Sequence, residues 1–133
     1  MSISVLGIAD DQALGGSVRL IVTEPRALAE AKQAVDSVLK EIDAAASRFR
    51  SESELSRLNS RAGEVVKVSP LLAGAIAAAI RGAELSDGAV DPTIGTAIRL
   101  AGYDADFASL ATEAAPLRLI AQRVPGWRGL YFR

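Results

Sequence analysis

The sequence predicts an α+β fold in which a mixed or antiparallel sheet packs against several helices. Residues 17–23 alternate between apolar and polar side chains, as a half-buried strand does. Residues 25–47 and 69–85 repeat apolar side chains at helical spacing. The elements follow in the order β-α-α-β-α-α-β, which favours α+β over a doubly wound parallel sheet.

The composition predicts one soluble domain covering residues 1–133. Half of the side chains are apolar, the net charge is −1, and there is no Cys or His. A balanced charge argues against binding to nucleic acid or to an anionic membrane. The missing Cys and His exclude thiolate nucleophiles, imidazole bases and zinc sites of the usual kind. Any metal would be a hard cation such as Mg²⁺, held by oxygen ligands.

The N-terminal region predicts two strands joined by a turn. Residues 3–8 suggest a short strand, and Leu14-Gly15-Gly16 a turn. Residues 17–23 then form the alternating strand. Its apolar face consists of Val18, Leu20 and Val22.

A long helix is predicted at residues 25–47, with Pro25 near its first position. Its apolar stripe consists of Leu28, Ala31, Val35, Val38, Leu39, Ile42 and Ala46. We expect this stripe to lie on the sheet. Asp36 and Lys40 are spaced to form an ion pair on the polar side.

Shorter elements follow the long helix. Residues 53–59 predict two helical turns, capped by Ser51 or Ser53. Residues 61–63 predict a turn, and 65–68 a short valine strand.

A second long helix is predicted at residues 69–85. Ser69 and Pro70 give the cap-then-proline signal for its start. It is Ala-rich and apolar on nearly every side, so we expect neighbouring elements to bury it. Gly88 can adopt positive φ and end it.

The stretch at 86–95 holds most of the residues of the chain that typically end one helix and begin the next. Asp91 and Pro92 predict an N-cap and the first residue of a helix that ends before Gly102. Unpaired N–H groups at a helix start can receive phosphate. The alternative is a plain connection in which Asp91 only caps.

The C-terminal region is less regular. Residues 103–107 predict a connection, 110–123 are mixed, and 127–132 predict a strand. Asp104 and Asp106 have metal-ligand character, although such pairs usually lie in solvated turns.

Two further features stay open between a functional and a plain interpretation. Phe49 stands alone among polar residues, where it either stacks on an aromatic ligand or closes a helix end. The neighbouring arginines either contact phosphate or form an exposed face. These arginines are Arg48, Arg50, Arg57 and Arg61.

Several segments, in order, resemble the FAD:protein FMN transferases, the ApbE family. Leu-Gly-Gly-Ser at 14–17 stands where the family has Met-Gly-Thr, and Ser-Arg-Phe-Arg at 47–50 is similar to Ser-Thr-Tyr-Lys. Ser-Glu-Leu-Ser-Arg-Leu-Asn at 53–59 is close to Ser-Glu-Leu-Ser-x-Phe-Asn. Gly-Ala-Val-Asp-Pro-Thr-Ile-Gly at 88–95 is close to Gly-Ala-Phe-Asp-x-Thr-Val-Gly, and Leu-Ala-Gly-Tyr at 100–103 fits the Leu-Trp-Gly-Phe that follows.

The resemblance covers residues 13–133 and only the N-terminal half of the family. It implies an incomplete, T-fold-like version of the family fold. It also implies an Mg²⁺-dependent transfer of FMN from FAD to a Thr or Ser hydroxyl of a target flavoprotein, with release of AMP. The family's acidic Mg²⁺ ligands belong to the missing half, so we expect the chain alone to be inactive. The expected partners are that half, or a partner chain, and the acceptor flavoprotein.

The resemblance also assigns site residues but no catalytic residue. It places Phe49 near the flavin, where it can stack but cannot donate a hydrogen bond, and Ser56 and Asn59 along the flavin pocket. In the loop that follows the second long helix it assigns contacts to Gly88, Ala89, Asp91 and Thr93. There the Ala89 carbonyl faces the metal, and Asp91 and Thr93 shape the adenosine and pyrophosphate side.

Two alternatives to the transferase remain: a non-catalytic flavin-binding or partner-dependent module without the C-terminal metal site, and a structural domain without a ligand. FAD hydrolysis to FMN and AMP is a variant of the family reaction. No signal peptide or membrane span is recognisable in the sequence, which predicts a cytoplasmic protein as given. An exported form stays open.

Overall fold

The computed structural model describes residues 6–103 and 124–131. The chain divides into two compact units, residues 1–64 and residues 65–133. Within the described residues it has a two-stranded antiparallel sheet and four α-helices, so the predicted α+β class is confirmed. That residues 1–133 form a single domain stays a prediction.

The first unit begins with a β-hairpin. Strand β1 (Gly7–Ala13) pairs with strand β2 (Gly16–Val22), and Ala13 lies opposite Gly16. Leu14 and Gly15 connect them with φ of 53° and 76°, as a two-residue type I′ turn requires. The turn and the second strand are therefore confirmed. The predicted apolar face is half-buried, and the side chains between are exposed.

The first strand lies later than predicted. It begins at Gly7 and runs to Ala13, whereas the sequence suggested residues 3–8, of which residues 3–5 lie outside the described residues. Its second half is polar, so its own pattern does not reveal a strand. Pairing with β2 holds it instead, and Asp10 there faces Arg19 across the ladder at 2.6 Å.

Helix α1 (Leu28–Ala46) follows a short 3₁₀ turn at Pro25–Ala27 and contacts both strands, as predicted. The predicted stripe is half-buried apart from Val38, which is exposed. Asp36 pairs with Lys32 at 2.8 Å, so the predicted Asp36–Lys40 pair is wrong. Lys32 pairs with Asp36 in place of Lys40 because its ammonium group also pairs with Asp11 of β1, at 2.6 Å.

Helix α2 (Glu54–Ser60) completes the first unit, with Ser53 as its N-cap. The predicted turn after it is present, with Gly63 at a φ of 93°. The predicted valine strand at 65–68 is wrong. No strand within the described ranges pairs with it, and Val65 is 93% exposed.

The second unit is built on helix α3 (Pro70–Leu85), which Ser69 caps through the Leu72 N–H, as predicted. Leu72 and Ala83 are buried, but Leu71 and Leu85 are exposed. Burial on nearly every side is therefore wrong, because α3 buries one face only. Helix α4 (Gly95–Leu100) follows and ends before Gly102, which has a φ of 96°.

Two predicted elements of this unit differ from the structure. Helix α4 begins at Gly95 rather than at Pro92, since residues 92–94 form a turn. Trp127–Gly129 is a 3₁₀ turn, and no strand runs through residues 127–131. The predictions for residues 104–123, including Asp104 and Asp106, lie outside the described residues. No helix in the described part of the chain is long and apolar enough to cross a membrane.

Candidate functional site

The loop after α3 is fixed at its start by Gly88. Its N–H donates to the Ala83 carbonyl at 2.8 Å, and its φ of 82° turns the chain away from the helix. A Cβ on Gly88 would stand 3.4 Å from Nε1 of Trp127. The predicted helix end at Gly88 is thus confirmed, and the indole of Trp127 lies beside this residue.

Ser86 orders the next residues of the loop. Its carbonyl accepts from the Ala89 N–H at 3.1 Å, and its hydroxyl accepts from the Val90 N–H at 3.0 Å. Ala89 is exposed, and its carbonyl accepts no hydrogen bond from the residues that the structure describes. Hydrogen bonds from Ser86 thus fix the backbone on both sides of the Ala89 carbonyl without using that oxygen.

Asp91 closes a turn rather than capping α4. Its Oδ1 accepts from the Thr93 N–H at 2.8 Å and from the Thr93 hydroxyl at 2.7 Å. These hydrogen bonds hold the pKa of the Asp91 carboxyl below its ordinary value. They also occupy the Thr93 N–H, so this group is not one of the unpaired N–H groups that could receive phosphate.

The same two side chains hold a distant segment. The Thr93 hydroxyl accepts from the backbone N–H of Gly126 at 3.1 Å, and Oδ2 of Asp91 accepts from the backbone N–H of Trp127 at 3.3 Å. We call Asp91 and Thr93 with these bonds the Asp–Thr clamp. Arg128 lies over the Trp127 ring, with Cζ 4.5 Å from the centroid.

The remaining predicted site residues belong to the first unit. Phe49 is 37% exposed, with Cζ of Arg48 4.1 Å from its ring centroid. The Ser56 hydroxyl donates to the Arg50 carbonyl at 2.7 Å, which ties α2 to the segment that carries Phe49. Asn59 is exposed in the last turn of α2.

The arginines of the first unit contact groups of their own unit. Arg50 pairs with Asp43 at 2.8 Å, Arg57 donates to a backbone carbonyl at 2.6 Å, and Arg61 pairs with Glu64 at 2.7 Å. These contacts favour the exposed-face interpretation, while phosphate contact stays a prediction.

The described residues do not form an Mg²⁺ site by themselves. Within residues 6–103 and 124–131, no three Asp or Glu side chains come together as a metal would need. The nearby Asp91 carboxylate already accepts three hydrogen bonds. The Ala89 carbonyl, which the family resemblance assigns to the metal, is among several carbonyls of this loop that accept no hydrogen bond from the described residues.

Sequence reasoning missed Ser86 and Trp127. The Ser86 hydroxyl at the end of a helix had a local signal, because serine often bonds to a nearby backbone group there. Trp127 had none. It lies 36 residues from the carboxylate that binds its N–H, and its surroundings read as a strand.

Comparison with known proteins agrees with the family resemblance of the sequence motifs. The ApbE family model matches residues 14–132. The FAD:protein FMN transferase of Haemophilus influenzae is 32% identical over 71 residues, or 52% of this chain and 20% of that protein. The crystal structure of the ApbE protein from Thermotoga maritima aligns with a TM-score of 0.67 and 32% identity, over 83% of this chain and 36% of that one. The chain therefore spans well under half the length of these relatives, and it belongs to the ApbE family.

Proposed function

We propose that this chain is the FAD-binding portion of an FAD:protein FMN transferase. Membership of the ApbE family over residues 14–132 is the observation that carries the proposal. In the proposed reaction, the hydroxyl oxygen of an acceptor Thr or Ser bonds to the FMN phosphorus and loses its proton. The bond from that phosphorus to the bridging oxygen breaks, and AMP leaves.

The loop at residues 88–93 is the proposed diphosphate side of the site. Backbone bonds from Gly88 and Ala89 fix its start, and the Asp–Thr clamp fixes its end. A loop already held in one conformation loses little entropy when a ligand binds. This supports a preformed contact surface for the dinucleotide.

Phe49, Ser56 and Asn59 are the flavin contacts proposed for the first unit. The partly exposed ring of Phe49 offers an apolar stacking surface, and the exposed Asn59 amide can both donate and accept. The hydrogen bond from the Ser56 hydroxyl to the Arg50 carbonyl supports a partly structural role for Ser56, because this bond holds the Phe49 segment on α2.

Mg²⁺ and the target flavoprotein belong to the proposal as well. The Ala89 carbonyl is the proposed ligand within the described residues, where no cluster of three carboxylates forms, so the carboxylate ligands would come from outside these residues, from the remainder of the family length or from a partner chain. Mg²⁺ would neutralise charge on the diphosphate. The cytoplasmic location predicted from the sequence also remains a proposal.

Titration with FAD, followed by flavin fluorescence, tests the binding proposal. Asp91→Asn and Phe49→Leu should each weaken FAD binding, the first by disturbing the loop and the second by removing the ring. Glu84→Gln removes one charge from the end of α3 without touching the loop contacts, and it should leave binding unchanged. A wild-type chain that binds no FAD would favour a structural domain without a ligand.

Release of AMP separates the transferase from the binding module. The chain is incubated with FAD and Mg²⁺, alone and with a C-terminal half from an ApbE relative, and AMP is quantified. We expect AMP only with both halves. Tight FAD binding without AMP under either condition would support the non-catalytic module.

A further inference from the structure

We infer that Asp91 and Thr93 serve the site as positioning residues, because they hold Trp127 against the Gly88 loop and leave contact with the flavin dinucleotide to Trp127. The ligand in this statement rests on the proposed function. The clamp itself rests on hydrogen bonds within the second unit.

The polar atoms of the clamp are already occupied by the protein. Asp91 accepts from the Thr93 N–H, the Thr93 hydroxyl and the Trp127 N–H. The Thr93 hydroxyl donates to Asp91 and accepts from the Gly126 N–H. A ligand that displaced these bonds would release contacts between segments 33 and 36 residues apart in the chain.

The clamp places an aromatic side chain beside the loop. The indole Nε1 of Trp127 lies 3.4 Å from where a Cβ of Gly88 would stand, so the indole edge lies in contact with the loop. The Arg128 guanidinium lies 4.5 Å from its ring centroid, and Trp127 remains half-buried rather than sealed. A partly accessible indole next to a cation suits a planar ring that carries phosphate, which is the chemistry of a flavin or adenine nucleotide.

The clamp can be tested without any ligand, because Trp127 is the sole tryptophan of the chain. Thr93→Val removes the hydroxyl and should shift Trp127 emission to the red and increase its quenching by acrylamide. Thr93→Ser keeps the hydroxyl and should restore both. Thr96→Val removes a hydroxyl from an exposed position on α4 and should change neither. Unchanged emission in Thr93→Val would overturn the clamp.

Asp91→Asn provides a second, milder variant. An amide that keeps Oδ1 toward Thr93 presents an NH₂ where Oδ2 accepted from the Trp127 N–H. The turn at 91–93 should persist in circular dichroism while Trp127 becomes more accessible to acrylamide. A native quenching constant in this variant would also contradict the clamp.

A double-mutant cycle with FAD separates positioning from direct contact. Thr93→Val removes both hydrogen bonds of the hydroxyl and should weaken FAD binding by about fivefold to tenfold, which is the net effect of a typical hydrogen bond. In a Trp127→Ala background the same substitution should add nothing, because Thr93 acts through Trp127. An additive loss would mean that Thr93 touches FAD and would overturn the positioning role. If the wild-type chain binds no FAD, the proposed function fails, and Trp127 emission still decides the clamp.

Discussion

Distant parts of the chain are joined by exposed ion pairs in the first unit. In the second unit, backbone amides bound to side-chain oxygens join them, beside one longer exposed ion pair between Arg128 and Asp87 at 3.6 Å. In the first unit, Lys32 reaches Asp11 over 21 residues, and Arg19 faces Asp10 across the hairpin, all with substantial exposure. In the second unit, Asp91 and Thr93 bind the amides of residues 126 and 127.

The difference matters for where a site can be precise. Exposed ion pairs are screened by salt and tolerate several side-chain geometries, so they stabilise weakly and fix little. A hydrogen bond from a backbone amide to a side-chain oxygen fixes both the path of the main chain and the position of the side chain. We therefore expect the second unit to be the more sensitive to single substitutions in its site region. The first unit should depend mainly on packing and caps.

The largest effect should come from Leu72 of α3, which is 1% exposed. Leu72→Ala should lower the free energy of unfolding by about 2–5 kcal/mol, because it removes buried methyl groups and leaves a cavity. Urea unfolding followed by Trp127 emission measures this in the second unit. Leu85→Ala, at a residue 72% exposed, is the control and should cost less than about 0.5 kcal/mol. Equal effects would mean that α3 does not bury Leu72 in solution.

The next effect belongs to Ser53 in the first unit, which is also 1% exposed. Its hydroxyl donates to the Ser47 carbonyl at 2.5 Å and accepts from the Ser56 N–H at 3.0 Å. Ser53→Ala should cost about 1–3 kcal/mol, since it removes a cap and takes a hydrogen-bond partner from the carbonyl of the half-buried Ser47. Thermal unfolding by circular dichroism checks this, with exposed Ser51→Ala as the matched control. A loss from Ser51→Ala as large as that from Ser53→Ala would contradict the cap assignment.

Local signals were sufficient where the partner lies a few residues away. Ser69 and the turn at Leu14-Gly15 were predicted correctly, and Ser53 was one of the two caps proposed for α2, because capping and positive φ are decided within a turn of chain. The strands expected at 65–68 and 127–132 were not found in the described residues, because a strand depends on a partner that periodicity does not reveal.

The candidate site divides in the same way. The motif at 88–95 identified Gly88, Asp91 and Thr93 as one loop, but not what holds the loop. Its tie to Trp127 crosses 36 residues, and no local pattern in the sequence encodes it.

A smaller effect tests the Gly88 end of the loop. Gly88→Ala should destabilise by about 1 kcal/mol, because an alanine at a φ of 82° is strained. Its methyl group would stand in van der Waals contact with the Trp127 indole, so the emission of Trp127 should change as well. Gly74→Ala is the control, since nothing lies within 4 Å of its Cβ position in α3. It should stabilise by up to about 1 kcal/mol through helix propensity. The same sign for both variants would contradict the left-handed conformation at Gly88.

The smallest predicted effect is the change of three carboxyl pKa values with salt concentration, and it distinguishes the two kinds of contact. The pKa of Asp10 is lowered by the hydrogen bond and charge of Arg19, and that of Asp11 mainly by the hydrogen bond of Lys32. The pKa of Asp91 is lowered by hydrogen bonds from the neutral Thr93 and Trp127 groups. In all three cases the stabilising contribution is present above the ordinary pKa of 3.8 and is lost as the pH falls through the lower folded value.

Near 1 M salt, where the Debye length is about 3 Å, the cations of the first unit are screened and the neutral donors of the second are not. The pKa of Asp10 should therefore rise toward 3.8 in high salt, while that of Asp91 stays low. Asp11 should move less than Asp10, because the Gln12 N–H also binds its carboxylate. Carboxyl carbon chemical shifts, titrated by NMR at low and high salt, measure all three groups in one sample. If the pKa of Asp91 rose as far as that of Asp10, its depression would depend on charge, and the contrast between the units would be wrong.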